Sequence, residues 1–383
     1  MDYDFLILGG GSAGYNAASA ACNLGLRVAV VEGADELGGL CILRGCMPSK
    51  ALLESANRFL TLRRAAEFGL QAEKIGFSCR EIWARKRQLV EEFATYRARQ
   101  LTSGRFDLHR GWGRFVDPHT VEVTGEDGTR RLTAKTFLVA TGSRIKRVEV
   151  PGLEETGYWT SDDVLKQERI PKSLIVLGGG ATAMEFAHFY AAMGTEVTII
   201  QRSKQVLKEM DADVAACLEE AYRKRGMPVY THTTLERVER TTTGQKAVTF
   251  QHAGQSQTVE AEEILYALGR EPALEPLGLE AAGIPVTRGR IQVGPTQQTV
   301  VPHIFAAGDA AGPYEVVHIA IQQGEIAARN ANRLVREQRR NLEEIDYRLK
   351  LFAVFSHPEV AMAGLTEQEL AAASIPYRAA TYP

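Results

Sequence analysis

Short, wholly apolar runs punctuate the chain, and they recur in a fixed order. DFLILGGGSAGYNAASAACNLGLRVAVVE, residues 4 to 32, opens on one such run and breaks at glycines. An apolar run too short for a helix and closed by glycine predicts a strand buried on both faces. The small-residue stretch after the glycines predicts a helix, and RVAVVE a second buried strand. SLIVLGGGATAMEFAHFYAAMGTEVTIIQR, residues 173 to 202, repeats the whole order. TFLVATGSR (136 to 144), EILYALGR (263 to 270) and PHIFAAGDAAG (302 to 312) are further apolar strands that reach turns at Gly142, Gly269 and Asp309. Strand, turn, helix and strand, twice over, predict an α/β chain with a parallel sheet in each of two Rossmann-like nucleotide domains.

The turns carry the first chemistry. Each repeat holds G-x-G-x-x-G/A: Gly9, Gly11 and Gly14, then Gly178, Gly180 and Ala183. These glycines permit a tight turn and let the backbone approach a pyrophosphate, which then meets a helix N-terminus. One such motif is weak evidence, whereas two in strand–turn–helix context predict two dinucleotide sites. Glu32 and Gln201 stand equally far beyond Gly9 and Gly178. An acid at that place accepts from a ribose 2′-hydroxyl and repels a 2′-phosphate. The first site therefore prefers a plain adenosine ribose, as in FAD. Gln201, with Arg202 beside it and Lys204 and Lys208 following, suits NADP(H) over NAD(H). The plainer reading of Arg202 and Lys208 is as exposed turn residues.

Composition narrows the partners. The 383 residues are 45% hydrophobic with a net charge of −2, which favours neither nucleic acid nor a membrane surface. Arginine clusters such as RRAAEF and REQRR read as solvated helix faces. A strand begins almost at once, leaving no room for a signal peptide, and no apolar run has the length of a membrane span. Five cysteines, an odd number widely spread, argue against a secreted disulfide framework and for a reducing, cytoplasmic location.

Cys41 and Cys46 lie in GGLCILRGCMPSK, residues 38 to 50. A metal clip, a static staple and a redox pair are the candidate roles. Structural zinc wants a second ligand pair, and none of the eight histidines is near in sequence. A staple over so short a loop removes little chain entropy. The redox reading uses the whole stretch: CMPSKALLESANRFL predicts a helix with Cys46 at its N-terminus, where the dipole favours a thiolate. Lys50 falls one turn on, on the same face.

GGLCILRGCMPSK resembles the redox-active disulfide segment of the pyridine nucleotide–disulfide oxidoreductases. Its PSK ending is more similar to dihydrolipoamide dehydrogenase and mercuric reductase than to glutathione reductase. ATGSR, GGGATAMEFA, ALGREP, FAAGDAAG and FSHPEVAMAGLTEQE follow in that family's order. The resemblance implies FAD binding by Gly9, Gly11, Ser12, Ala13, Gly14, Glu32, Gly39, Lys50, Gly113, Thr141, Gly142, Asp309, Val317 and His318. It implies NAD(P) binding by Gly178, Gly180, Ala183, Glu185, Arg202, Lys208 and Gly269, and catalysis by Cys41, Cys46, Lys50 and Glu185. Cys46 would face the flavin and Cys41 would exchange with a small-molecule or protein disulfide. Glu185 would pair with Lys50; read plainly, it is an exposed acid in a helix's first turns. Cys22, Cys79 and Cys217 match nothing catalytic and read as packing residues. No metal site is implied.

The implied organisation is a first FAD-binding part (1–146), a nicotinamide domain (147–271), a second FAD-binding part (272–345) and the beginning of an interface domain (346–383). Family members continue roughly another 100 residues, the order of a small domain. That region carries a His-x-x-x-x-Glu pair whose histidine is the acid–base partner of the interchange thiol across a homodimer. The chain is thus expected to be truncated, with a weakened dimer and impaired disulfide turnover. Leu40 and Ala181 depart from the family's usual residues. Three functions stay open: an FAD-dependent disulfide reductase, a flavoprotein reducing a metal ion, quinone or oxygen, and a catalytically incomplete flavoprotein. YWTSDD and Arg202 keep mercuric reduction among them.

Overall fold

A computed structural model describes residues 1–338 and 340–382; Arg339, in the expected solvated run REQRR, and Pro383 lie outside the described residues. The chain forms two compact units. The first comprises Met1–Met47, Gln88–Ile145 and Arg270–Asp346; the second comprises Pro48–Arg87, Lys146–Gly269 and the residues from Tyr347 onward.

The first unit is built on a seven-stranded sheet. Strands Asp107–Arg110, Val28–Glu32, Tyr3–Leu8 and Gly128–Val139 run parallel in that order, and Ile304–Ala306 also pairs parallel with Gly128–Val139. Thr120–Gly125 and Trp112–Asp117 extend the sheet antiparallel. Phe5, Leu6, Ile7 and Leu8 are all buried, as are Val28, Ala29, Val30 and Val31. That is the two-faced burial that continuous apolar runs require. Helices Ser12–Asn23 and Val317–Val335 cover one face at backbone contact. A Cβ on Gly324 would stand 2.3 Å from the Ala13 carbonyl oxygen, so only glycine admits this approach.

The second unit has a four-stranded parallel sheet in the order Val229–Tyr230, Glu196–Ile200, Ser173–Leu177, Glu263–Tyr266. Its fingerprint helix, Ala181–Ala192, is buried over most of its length. An antiparallel meander of Thr234–Arg240, Lys246–His252 and Gln255–Ala261 stands beside the parallel sheet in sequence. Leu351–Val354 and Val360–Ala363 form a hairpin.

Candidate functional site

In the first unit the glycine turn is shaped by close backbone approaches. Gly9 takes φ +102°, and a Cβ there would lie 2.4 Å from the Ala140 carbonyl oxygen. A Cβ on Gly14 would fall 1.8 Å from the Gly9 oxygen. Helix Ser12–Asn23 starts from Gly11, which offers no side-chain cap, and no acid lies in its first turn. Its leading N–H groups are therefore left for an anion rather than for the protein's own oxygens. Ser12 is half-buried and Ala13 buried at the start of that helix. Space remains above the turn, because the nearest atom to a Cβ on Gly11 would be the Gly39 α-carbon at 3.9 Å.

The surrounding polar groups fit FAD. Glu32 accepts from the Gly10 N–H at 2.8 Å and the Ala34 N–H at 2.9 Å, which aims its carboxylate from the end of strand Val28–Glu32. A carboxylate offers about four acceptor sites, so capacity for ribose hydroxyls remains. Thr141, just past the end of strand Gly128–Val139, has a buried hydroxyl with no hydrogen-bond partner among the described residues. An orphaned buried hydroxyl calls for a partner from a bound group. Gly142 follows at φ +71° with open space where a side chain would be. Asp309 accepts from the Ser143 hydroxyl at 2.5 Å, and Ser143 in turn accepts from Arg270 Nε at 2.9 Å. Gln323 clasps that turn, accepting from the Gly308 N–H and donating to the Gly312 carbonyl, each at 2.7 Å.

The sequence reading also named Gly113, Val317 and His318 for this site. The α-carbon of Gly113 faces its own core: a Cβ there would meet Leu8, Val31 and Val121. Val317 is half-buried and His318 exposed at the start of helix Val317–Val335.

Cys41 rides on the short helix Gly39–Leu43, and Cys46 is the first residue of helix Cys46–Arg63; both are partly buried. Gly39 adopts φ +73°, and a Cβ there would stand 2.6 Å from the Gly11 α-carbon. The cysteine-bearing helix is thereby fastened to the first glycine turn.

In the second unit Lys50 Nζ donates to both Glu185 carboxylate oxygens at 2.8 Å. Glu185 is buried, contrary to the plain reading of an exposed acid, and it also accepts from the Phe355 N–H at 3.1 Å. The Lys50 ammonium sits 4.9 Å from the centre of the Phe355 ring. Nothing in the local sequence marks Phe355 as a member of this group.

The second glycine fingerprint repeats the geometry of the first. Gly178 takes φ +118°, and a Cβ there would lie 2.3 Å from the Ala267 oxygen. Gly180 starts helix Ala181–Ala192 without a side-chain cap or first-turn acid. Gly180 and Gly269 both have open space at the Cβ position, and Ala183 is fully buried. Gln201 is buried and donates to the Gln205 carbonyl at 3.3 Å. Arg202 is exposed, and Lys208 pairs with Glu209 at 3.3 Å.

The remaining cysteines divide. Cys22 and Cys79 are partly buried, and burial pushes both thiols up. Cys217 is exposed and therefore not the packing residue that the sequence suggested. His188 and His357 stack at 5.9 Å in the second unit. Burial, with Arg225 alongside, pushes His188 down to about 3.

Residues 3–324 match the family model described as pyridine nucleotide-disulphide oxidoreductase. A dihydrolipoyl dehydrogenase of Bacillus subtilis is 34% identical over 380 residues, covering 96% of this chain and 78% of the relative. A mercuric reductase of Bacillus cereus is 35% identical over 370 residues, covering 96% of this chain and 57% of the relative. Among solved structures, the Cu(II) complex of the HOCl-induced flavoprotein disulfide reductase RclA from Escherichia coli superposes with a TM-score of 0.81 at 26% identity. That match covers 97% of this chain and 79% of the other.

Proposed function

The chain belongs to the pyridine nucleotide-disulphide oxidoreductase family, and we propose that it works as an FAD-dependent reductase of disulfides through Cys41 and Cys46. The observation that carries this reading is the approach of Gly39 to Gly11, which holds the Cys41 helix against the dinucleotide turn. When bound, FAD supplies a carrier that takes a hydride from a nicotinamide and gives two electrons to a disulfide. Gly9, Gly11, Gly14, Glu32, Thr141 and Asp309 would hold it.

The protein's own groups do the rest. Cys46 opens an 18-residue helix, whose dipole favours a thiolate at that end. Lys50 Nζ meets the Glu185 carboxylate at 2.8 Å, which places a cation one turn beyond Cys46 on that helix. Cys41 exchanges with the substrate. A small-molecule or protein disulfide is the proposed substrate, and a homodimer the proposed assembly. NADP(H) is the proposed coenzyme: Gln201 is turned to its own loop and Lys208 is paired, leaving exposed Arg202 for a 2′-phosphate.

The test is anaerobic titration of the FAD-loaded protein with NADPH and, separately, NADH, followed by addition of lipoamide. A long-wavelength thiolate–flavin absorbance lost in Cys46→Ser and kept in Cys41→Ser supports the assigned roles. Equal response to both nucleotides removes the NADP(H) preference. Reduced flavin that reoxidises with Hg(II) or quinone but not with lipoamide overturns the disulfide substrate.

A further inference from the structure

Arg97 lies near the end of helix Cys79–Leu101, in a stretch of the sequence with no recognisable motif. Its guanidinium lies 3.9 Å from the centre of the Tyr15 ring. Its Nε is buried and has no hydrogen-bond partner among the described residues. Tyr15 belongs to helix Ser12–Asn23, which starts at Gly11, the residue against which Gly39 seats the Cys41 helix. Three elements of the first unit therefore bring Arg97, Tyr15 and Cys41 to one glycine turn.

The guanidinium needs an anion. An arginine stays protonated, and a partly desolvated cation is costly without a counter-charge. The titratable groups that attract it are Tyr15, Tyr96 and Cys41, one from each packed element, with no carboxylate among them. Burial holds the guanidinium below its ordinary value, and these three groups oppose that. Of the three, Cys41 is the group whose proposed chemistry passes through an anion.

We propose that Arg97 is a positioning residue that holds Cys41 in its thiolate form for exchange with substrate. The inference rests on the reading of Cys41 as the interchange thiol. Stacking on Tyr15 fixes the plane of the guanidinium and leaves its edge donors for sulfur. In the reduced pair the Cys41 thiolate attacks one sulfur of a substrate disulfide. A Cys41–substrate S–S bond forms, the substrate S–S bond breaks, and the first substrate thiolate leaves and takes a proton from water. The Cys46 thiolate then attacks the Cys41 sulfur and expels the second thiolate. The substrate gains two electrons, and the cysteine pair loses two and closes as a disulfide.

The experiment uses FAD-loaded protein carrying Cys46→Ser, which keeps Cys41 from closing. Iodoacetamide alkylation of Cys41 is followed across pH by peptide mass spectrometry, separately from Cys22, Cys79 and Cys217. Adding Arg97→Gln or Arg97→Met is expected to raise the apparent Cys41 pKa by about one unit and slow alkylation at pH 7 about tenfold. Arg97→Lys is expected to restore most of both. Either neutral variant that retains flavin decides the matter. An unchanged alkylation profile in it overturns the inference, as does a shift that Arg97→Lys fails to restore. In protein with Cys46 intact, absence of the thiolate–flavin band would instead count against the redox reading itself, so the two failures are separable.

Discussion

Replacing Lys50 or Glu185 tests the charge pair of the second unit. The ammonium meets both carboxylate oxygens at 2.8 Å, with side-chain exposures of 34% for Lys50 and 5% for Glu185. Across that distance two unit charges attract by about 6 kcal/mol at an effective permittivity of about 20, and by about 1.5 kcal/mol in bulk water. Desolvating the carboxylate offsets several kcal/mol, and the Phe355 N–H returns part of it. Because a third of Lys50 is exposed, screening reduces the pair term further. A coupling of about 2 kcal/mol is expected from a double-mutant cycle of Lys50→Met and Glu185→Gln. The single variants should be unequal. Lys50→Met leaves a buried carboxylate unpaired and should cost about 3 kcal/mol, whereas Glu185→Gln leaves an ammonium that water reaches and should cost about half that. Urea unfolding of FAD-loaded protein, at pH 5 and pH 8, reads all four corners. A coupling under about 0.3 kcal/mol, or a larger loss for Glu185→Gln than for Lys50→Met, would refute the reasoning.

The Thr141 hydroxyl has no partner in the protein, so Thr141→Val should leave apoprotein stability unchanged or slightly higher while weakening FAD binding about five- to tenfold, roughly 1 kcal/mol. Fluorescence titration of apoprotein with FAD, beside apoprotein melting, checks both, and lost stability with unchanged FAD affinity would contradict it. His188, whose ring nitrogens meet Asn57 at 2.7 Å and Arg225 at 3.2 Å, should make the fold acid-sensitive. Its folded pKa of about 3 lies below the unfolded value near 6.5, so the unfolded chain takes up the extra proton as pH falls between them. Stability should be full above pH 6.5 and reduced by about 2 kcal/mol at pH 5. His188→Gln should flatten that dependence in urea midpoints measured at pH 7 and pH 5, and parallel curves for parent and variant would exclude His188 as the cause.

Much of the fold was legible along the chain because its signals are local. Apolar runs such as FLIL and VAVV demand burial on both faces, and glycines at fixed spacing demand a turn that other residues would obstruct. The Gly9 and Gly178 conformations bear out that need. The charge difference between Glu32 and Gln201 is likewise a matter of register within one repeat. Other features had no local signature. Arg97 lies in a stretch with no recognisable motif, yet its Nε is buried. Glu185 reads plainly as a surface acid, although the family resemblance implied its pairing with Lys50, 135 residues away; its burial and its contact with Phe355, 170 away, come from packing of the second unit. Gly113 serves close packing beneath Leu8 and Val31, which no motif announces. The sequence by itself determined the α/β class, the two glycine turns and the segment that carries the cysteines, since hydrophobic period and backbone sterics act over a few residues. Tertiary structure alone decided which side chains are buried and which polar atoms are left unpaired, because those outcomes depend on sheet order and helix facing between residues far apart in the chain.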